Sequence, residues 1–179
     1  MLGDSLVGVY LFGSGALGGY VQGESDLDVA VVARDGASGD VLEALCDRVS
    51  HPALPCPARG LELVVYAEGA VADPAAPPGY LLDLNTGPRM APRKSMDPAG
   101  EPGHWYTIDI AIGREHGVAL TGPPPVEVFA ARPASVIRAA LEESMAWHRR
   151  HEPDGPNTEL NARRARRWIE DGVWEPKAR

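Results

Sequence analysis

Hydrophobic positions along the chain fall into two kinds of pattern, short unbroken runs and stripes at helical spacing. Val7 to Phe12 and Val29 to Val32 are apolar runs of strand length, and Leu61 to Tyr66 (LELVVY) is a third. Tyr80 to Leu84 reads as a short strand that the turn residues Asn85-Thr86-Gly87-Pro88 bring to an end. Helical spacing appears in Val41 to Val49, where Val41, Leu42, Leu45 and Val49 form one stripe. It returns in Trp105 to His116, with Trp105, Ile108, Ala111 and Ile112 on one face. Gly117 follows as C-cap and Gly122 to Pro125 as a stop. Pro133 to His151 is the clearest amphipathic helix, with Val136, Ile137, Ala140, Leu141, Met145 and Trp147 as its apolar positions. Asn157 or Thr158 is expected to cap a last helix running to Asp171, which Gly172 closes.

The segments between these elements read as loops. Residues 2–6 are too short for a full helix, Asp35 to Asp40 is polar, and His51 to Gly60 is Pro-rich. Arg89 to Gly103 carries Pro92, Pro98 and Pro102 among charged residues and reads as a loop whose Arg89, Arg93 and Lys94 are solvated. His51, His104 and His116 are each read as solvent-facing.

The candidate chemistry lies between the first two runs. Gly13 and Ser14 stand where the first run ends, and Asp26-Leu27-Asp28 enters the second. Strand side chains alternate between faces, so Asp26 and Asp28 share one face while Leu27 turns to the core. Two carboxylates this close repel each other unless a cation lies between them, and carboxylate oxygens with substrate phosphates suit Mg²⁺. Gly13 lets the backbone approach a ligand closely, and Ser14 adds a hydroxyl to a turn that opens a helix, which together suit a phosphate. Glu62 is a carboxylate inside an otherwise apolar run, costly there unless a cation answers it.

The order of strand, Gly-Ser, eleven residues (Gly15 to Ser25) and Asp-x-Asp resembles the nucleotidyltransferase superfamily that includes DNA polymerase β. The resemblance implies an α+β fold, a mixed sheet with flanking helices. Later segments narrow it. LELVVY, LNTGP, HWYTIDIAIGREHGVALTGPPP, NTELNARRARRWIEDGVW and the following Pro-Lys are similar to the aminoglycoside adenylyltransferases of the streptomycin and spectinomycin 3″-type. That likeness runs from about Leu6 to Lys177. It implies a nucleotidyltransferase domain over residues 1–131 and a short C-terminal helical domain over residues 132–179. It also implies AMP transfer from ATP, with two Mg²⁺ ions, to a hydroxyl of a small cationic antibiotic. In that scheme Asp26 and Asp28 hold metal and Glu62 is the base. Gly13, Ser14, Arg164 and Lys177 meet the nucleotide, and Trp105 and Asp154 meet the antibiotic. Relatives of this type continue past the Pro-Lys pair with further helices. The helical domain is therefore expected to be short, with an apolar face that self-association or a partner would cover.

Composition adjusts this picture modestly. A net charge of −8 argues against nucleic acid and suits a cationic small molecule. Cys46 and Cys56 have neither disulfide nor metal-ligand spacing, and no apolar run reaches membrane-spanning length, so a cytoplasmic protein without a membrane partner is expected. Two other readings stay open. One is AMP transfer to a protein or another small hydroxyl compound. The other is a nucleotide-binding module without turnover, of the kind used by toxin–antitoxin pairs.

Overall fold

The apolar runs become the middle of a six-stranded sheet. A computed structural model of the chain describes residues 2–76, 79–155 and 158–175. Strands β1 (Leu6–Leu11), β2 (Leu27–Ala33) and β3 (Leu61–Ala67) match the three runs, with β4 (Leu82–Thr86), β5 (Arg93–Ser95) and β6 (Val118–Thr121) outside them. Their order across the sheet is β5-β4-β3-β2-β1-β6. Only β2 and β3 run parallel, joined through helix α2 (Gly39–Val49); the other neighbours are antiparallel. The sheet is thus mixed and the class α+β, as expected.

Alternation along β2 and β3 sorts the side chains onto two covered faces. Val31, Ala33, Leu63 and Val65 pack with Leu42, Leu45 and Cys46 of α2. Ala30, Val32 and Tyr66 face the other way, onto Tyr106 and Ile110 of helix α4 (Gly103–His116) and onto Phe129, which follows the short helix α5 (Pro125–Val128). Gly113 of α4 makes that approach possible, because a side chain there would start 2.0 Å from Cζ of Phe12. The opposite side of α4 contributes Ala111 and Ile112 to a third cluster. Its other members are Ile137 and Leu141 of α6 (Ala134–His151), Ala165 and Trp168 of α7 (Thr158–Asp171), and Trp174. α4 is therefore shared between the sheet and the helical region, which fixes how the two meet.

A buried arginine secures the connection between them. The Arg132 guanidinium donates to the carbonyls of Ala70, Asp73, Pro74 and Ala76, tying the segment after α3 (Glu68–Ala72) to the start of α6. Burial pulls its pKa down, and Asp73 opposes that.

Several sequence expectations are corrected. The segment Arg89 to Gly103 is not all loop: β5 pairs with β4, and Arg93 is ion-paired to Asp83 and Glu101. β4 begins at Leu82 rather than Tyr80, whose hydroxyl bonds Ser95 at 2.7 Å instead. The N-terminal segment, expected to be too short for a full helix, does hold only a 3-10 turn over Gly3–Ser5. The buried positions of α4 include His104, Tyr106, Thr107 and Ile110, because the helix is covered on two sides rather than along one stripe. His104 is 3% exposed, not a surface residue. His51 is half-buried, its Nδ1 accepting from the Cys56 amide at 2.9 Å and its own amide donating to Thr86 Oγ1 at 2.8 Å. Val136 on α6 faces solvent. Thr158 opens α7 and its hydroxyl donates to the Glu152 carbonyl at 2.6 Å, whereas Asn157 lies outside the described residues.

Candidate active site

The site starts at the end of β1. Phe12 donates its amide to the Asp28 carbonyl at 2.8 Å, and Gly13 then turns with φ +55°, a left-handed conformation that favours glycine. Helix α1 is the single turn Gly13–Ala16, with Ser14 its second residue. A Cβ on Gly13 would stand 1.8 Å from Oδ2 of Asp28. The turn and the carboxylate therefore lie against each other, as a glycine placed for close approach requires.

In the parallel ladder Asp28 is the register partner of Glu62, and Glu62 is in turn the partner of Asn85 on β4. All three sit on the face that carries Ala30, Val32 and Tyr66, at the end of the sheet where that apolar core stops. The juxtaposition of Asp28 with Glu62 follows from two runs that each begin with a carboxylate at the same register.

Asp26 behaves differently from the sequence expectation. β2 begins at Leu27, so Asp26 precedes the ladder, and its carboxylate turns to Arg59. Nε of Arg59 donates to Oδ1 at 2.8 Å and Nη2 donates to Oδ2. The Arg59 guanidinium is held above its ordinary pKa, chiefly by the bond to Asp26, with Glu62 and Asp28 adding attraction. Arg59 ends the Pro-rich loop and carries no sequence signal beyond its charge. Among the described residues, no group of three His, Cys, Asp or Glu side chains is gathered as a metal site.

Arg164, on α7, lies within electrostatic reach of Asp28. Its Nε donates to the Glu175 carbonyl at 2.8 Å. Burial lowers its pKa, while Asp109, Asp28 and Glu175 draw it the other way; an arginine so placed stays charged. Asp109, on α4, is a second residue the sequence reading missed, hidden inside a helical stripe. The neighbouring arginines of α7 do face outward. Arg166 pairs with Glu159 at 3.3 Å and Arg167 with Asp171 and Glu175. Lys177 lies outside the described residues.

Trp105, half-buried on α4, meets Trp147 of α6 edge to face at 5.0 Å between ring centres. Trp147 in turn stacks on His151 at 4.6 Å. Asp154 is exposed in the turn after α6, one loop beyond this aromatic group. Trp147 was legible only as an apolar helix position, yet here it extends the surface that Trp105 begins.

No family model matches the chain, and no curated protein matches it. Among solved structures, spectinomycin adenyltransferase AAD(9) from Enterococcus faecialis, crystallised with ATP and spectinomycin, aligns over 98% of this chain and 73% of its own. The TM-score is 0.74 and the identity 20%. The fold is that of this adenyltransferase. The adenyltransferase fold thus extends over the helical region as well as the sheet, since the matched share leaves almost nothing out. Among the described residues no helix is long and apolar enough to cross a membrane.

Proposed function

We infer that this chain is a nucleotidyltransferase, moving AMP from ATP to a hydroxyl of an aminoglycoside-type antibiotic of the streptomycin and spectinomycin class. The observation that carries the reading is the pairing of Asp28 with Glu62 across β2 and β3, beside the Gly13 turn. A fold shared with spectinomycin adenyltransferase supports it.

On this reading Gly13 and Ser14 receive the triphosphate, Arg164 approaches its charge from the helical side, and Lys177 is assigned to the nucleotide by the family resemblance alone. Glu62 takes the proton of the acceptor hydroxyl. The hydroxyl oxygen forms a bond to the α-phosphorus as the opposite bond, to the pyrophosphate oxygen, breaks. Pyrophosphate leaves with that electron pair. Trp105 offers an aromatic wall and Asp154 an anion for the cationic groups of the acceptor.

The donor set suits Mg²⁺ in kind: Asp26 and Asp28 are hard oxygen ligands, and Asp28 lies where Gly13 brings the backbone closest. Asp26 is shared with Arg59, so the coordination shells of two ions would be completed by ATP phosphates and water rather than by protein alone. Bound metal would supply charge neutralisation on the phosphates.

The test is pyrophosphate release from ATP and Mg²⁺, with streptomycin and spectinomycin each present or absent, beside Glu62→Gln. Drug-dependent release that Glu62→Gln abolishes is the expected result. ATP binding with no release under either drug would overturn the antibiotic assignment.

A further inference from the structure

The backbone around Arg59 is secured without its side chain. The Arg59 amide donates to the Ser25 carbonyl at 3.3 Å, its carbonyl accepts from the Arg89 amide at 3.1 Å, and the Gly60 carbonyl accepts from the Leu27 amide at 2.9 Å. The side chain has a separate role. Its guanidinium grips both oxygens of Asp26, and its charge also bears on Glu62 and Asp28. One cation therefore answers three carboxylates that would otherwise repel one another.

The two partners differ in freedom. The Asp26 side chain is 15% exposed and the Arg59 side chain 42%, so the arginine is the one with solvent to move into. A guanidinium fork fits a carboxylate in the plane of both oxygens, which are the same oxygens a metal would use.

We propose that Arg59 is a built-in counter-ion for the carboxylate cluster: it holds Asp26 while no metal and nucleotide are bound, and it must release Asp26 before that residue can ligate a cation. The proposal rests on the nucleotidyl-transfer reading. Arg59 is on this account a positioning residue, competing with metal for one ligand. The competition sets a threshold, because metal alone has to displace the guanidinium, whereas metal carried in with a triphosphate brings its own oxygens.

The experiment is Mn²⁺ binding, read as the free-ion signal in electron paramagnetic resonance, on the wild-type chain, Arg59→Gln and Arg59→Lys. Each is measured with and without the α,β-methylene analogue of ATP, and each is also melted in EDTA and in Mn²⁺. Arg59→Gln is expected to bind Mn²⁺ without nucleotide about tenfold tighter than wild type, the order of effect that removing one adjacent cation produces. Its melting midpoint should fall in EDTA and recover in Mn²⁺. Arg59→Lys keeps the charge but not the fork and should lie between, and it decides the matter if Arg59→Gln does not fold. Mn²⁺ affinity equal to or weaker than wild type in the folded variants overturns the proposal, even where the midpoint drops, since that is what a purely structural arginine would give. If no protein retains Mn²⁺ even with the analogue, the nucleotidyl-transfer reading itself falls.

Discussion

Gly13 and Asp28 occupy touching space: a methyl group on the glycine would begin 1.8 Å from Oδ2 of the aspartate. Gly13 also holds φ +55°, so alanine there meets both a collision and a strained backbone. Gly18, at φ +73°, has nothing within 4 Å of the same position and isolates the strain alone. Gly18→Ala is expected to cost about 1 kcal/mol, and Gly13→Ala about 2–3 kcal/mol with loss of ATP binding. Urea unfolding and ATP titration of the two variants check this. Equal behaviour of both would mean that the contact with Asp28 carries no weight.

Asp83 is buried, 4% exposed, and holds its place through Arg93 and through the Tyr106 hydroxyl at 2.7 Å. Burial and the bond to Asp83 push the Tyr106 phenol far above its ordinary pKa, so it serves as a donor throughout the usual pH range. Removing the hydroxyl in Tyr106→Phe leaves the ion pair and should cost about 1 kcal/mol. Arg93→Met strands a buried carboxylate and should cost more, about 2–4 kcal/mol, with the partial exposure of Arg93 tempering it. Denaturant unfolding that ranks the two in reverse would refute this account of the β4–α4 junction.

Residues whose environment is set by their own run were legible; those set by partners elsewhere in the chain were not. β1, β2 and β3 announce themselves because an interior strand must be apolar on both covered faces. Asp26, Asp28 and Glu62 stand out as charge at the start of such runs, and register then brings Asp28 and Glu62 together. β5 is Arg-Lys-Ser, polar because it is an edge, and its pairing comes from β4 and from ion pairs. β6 is another edge strand, exposed at all four residues, and nothing in Val-Ala-Leu-Thr separates it from a loop. α4 misled the periodicity argument because two surfaces cover it, which puts His104 and Thr107 inside. Arg59 had only a loop position to show, and its meaning comes from Asp26, 33 residues away in the chain.

Trp105 and Trp147 touch edge to face at 5.0 Å, and the second ring is braced by His151. If this surface receives the acceptor, Trp105→Ala should raise the KM for the antibiotic about tenfold, the scale of one lost aromatic contact, and leave the KM for ATP unchanged. Trp105→Phe keeps an aromatic face and should recover most of the affinity. Steady-state kinetics with each substrate varied in turn gives the answer, and a parallel rise in both constants would place Trp105 in the packing rather than at the acceptor.

His104 provides a test that needs no substrate. It is buried between α4 and α6, and among the described residues neither ring nitrogen has a hydrogen-bond partner. Burial lowers its pKa below the ordinary 6.5; Glu143, whose Oε1 lies 3.5 Å from Nδ1, opposes that shift, and the charge of His148 adds to it. A base with a depressed folded pKa is protonated first in the unfolded chain. Its contribution to stability is therefore complete above pH 6.5 and is lost as the pH falls from there through the lower folded value. The slope in that window is at most about 1.4 kcal/mol per pH unit for one proton. His104→Phe keeps the ring and removes the titration. Its melting midpoint should fall less than that of the wild type as the pH drops from about 7.5 to about 5, through the ordinary histidine value and below it. Two curves that stay parallel through this range would show that His104 is protonated in the folded chain as readily as in the unfolded one.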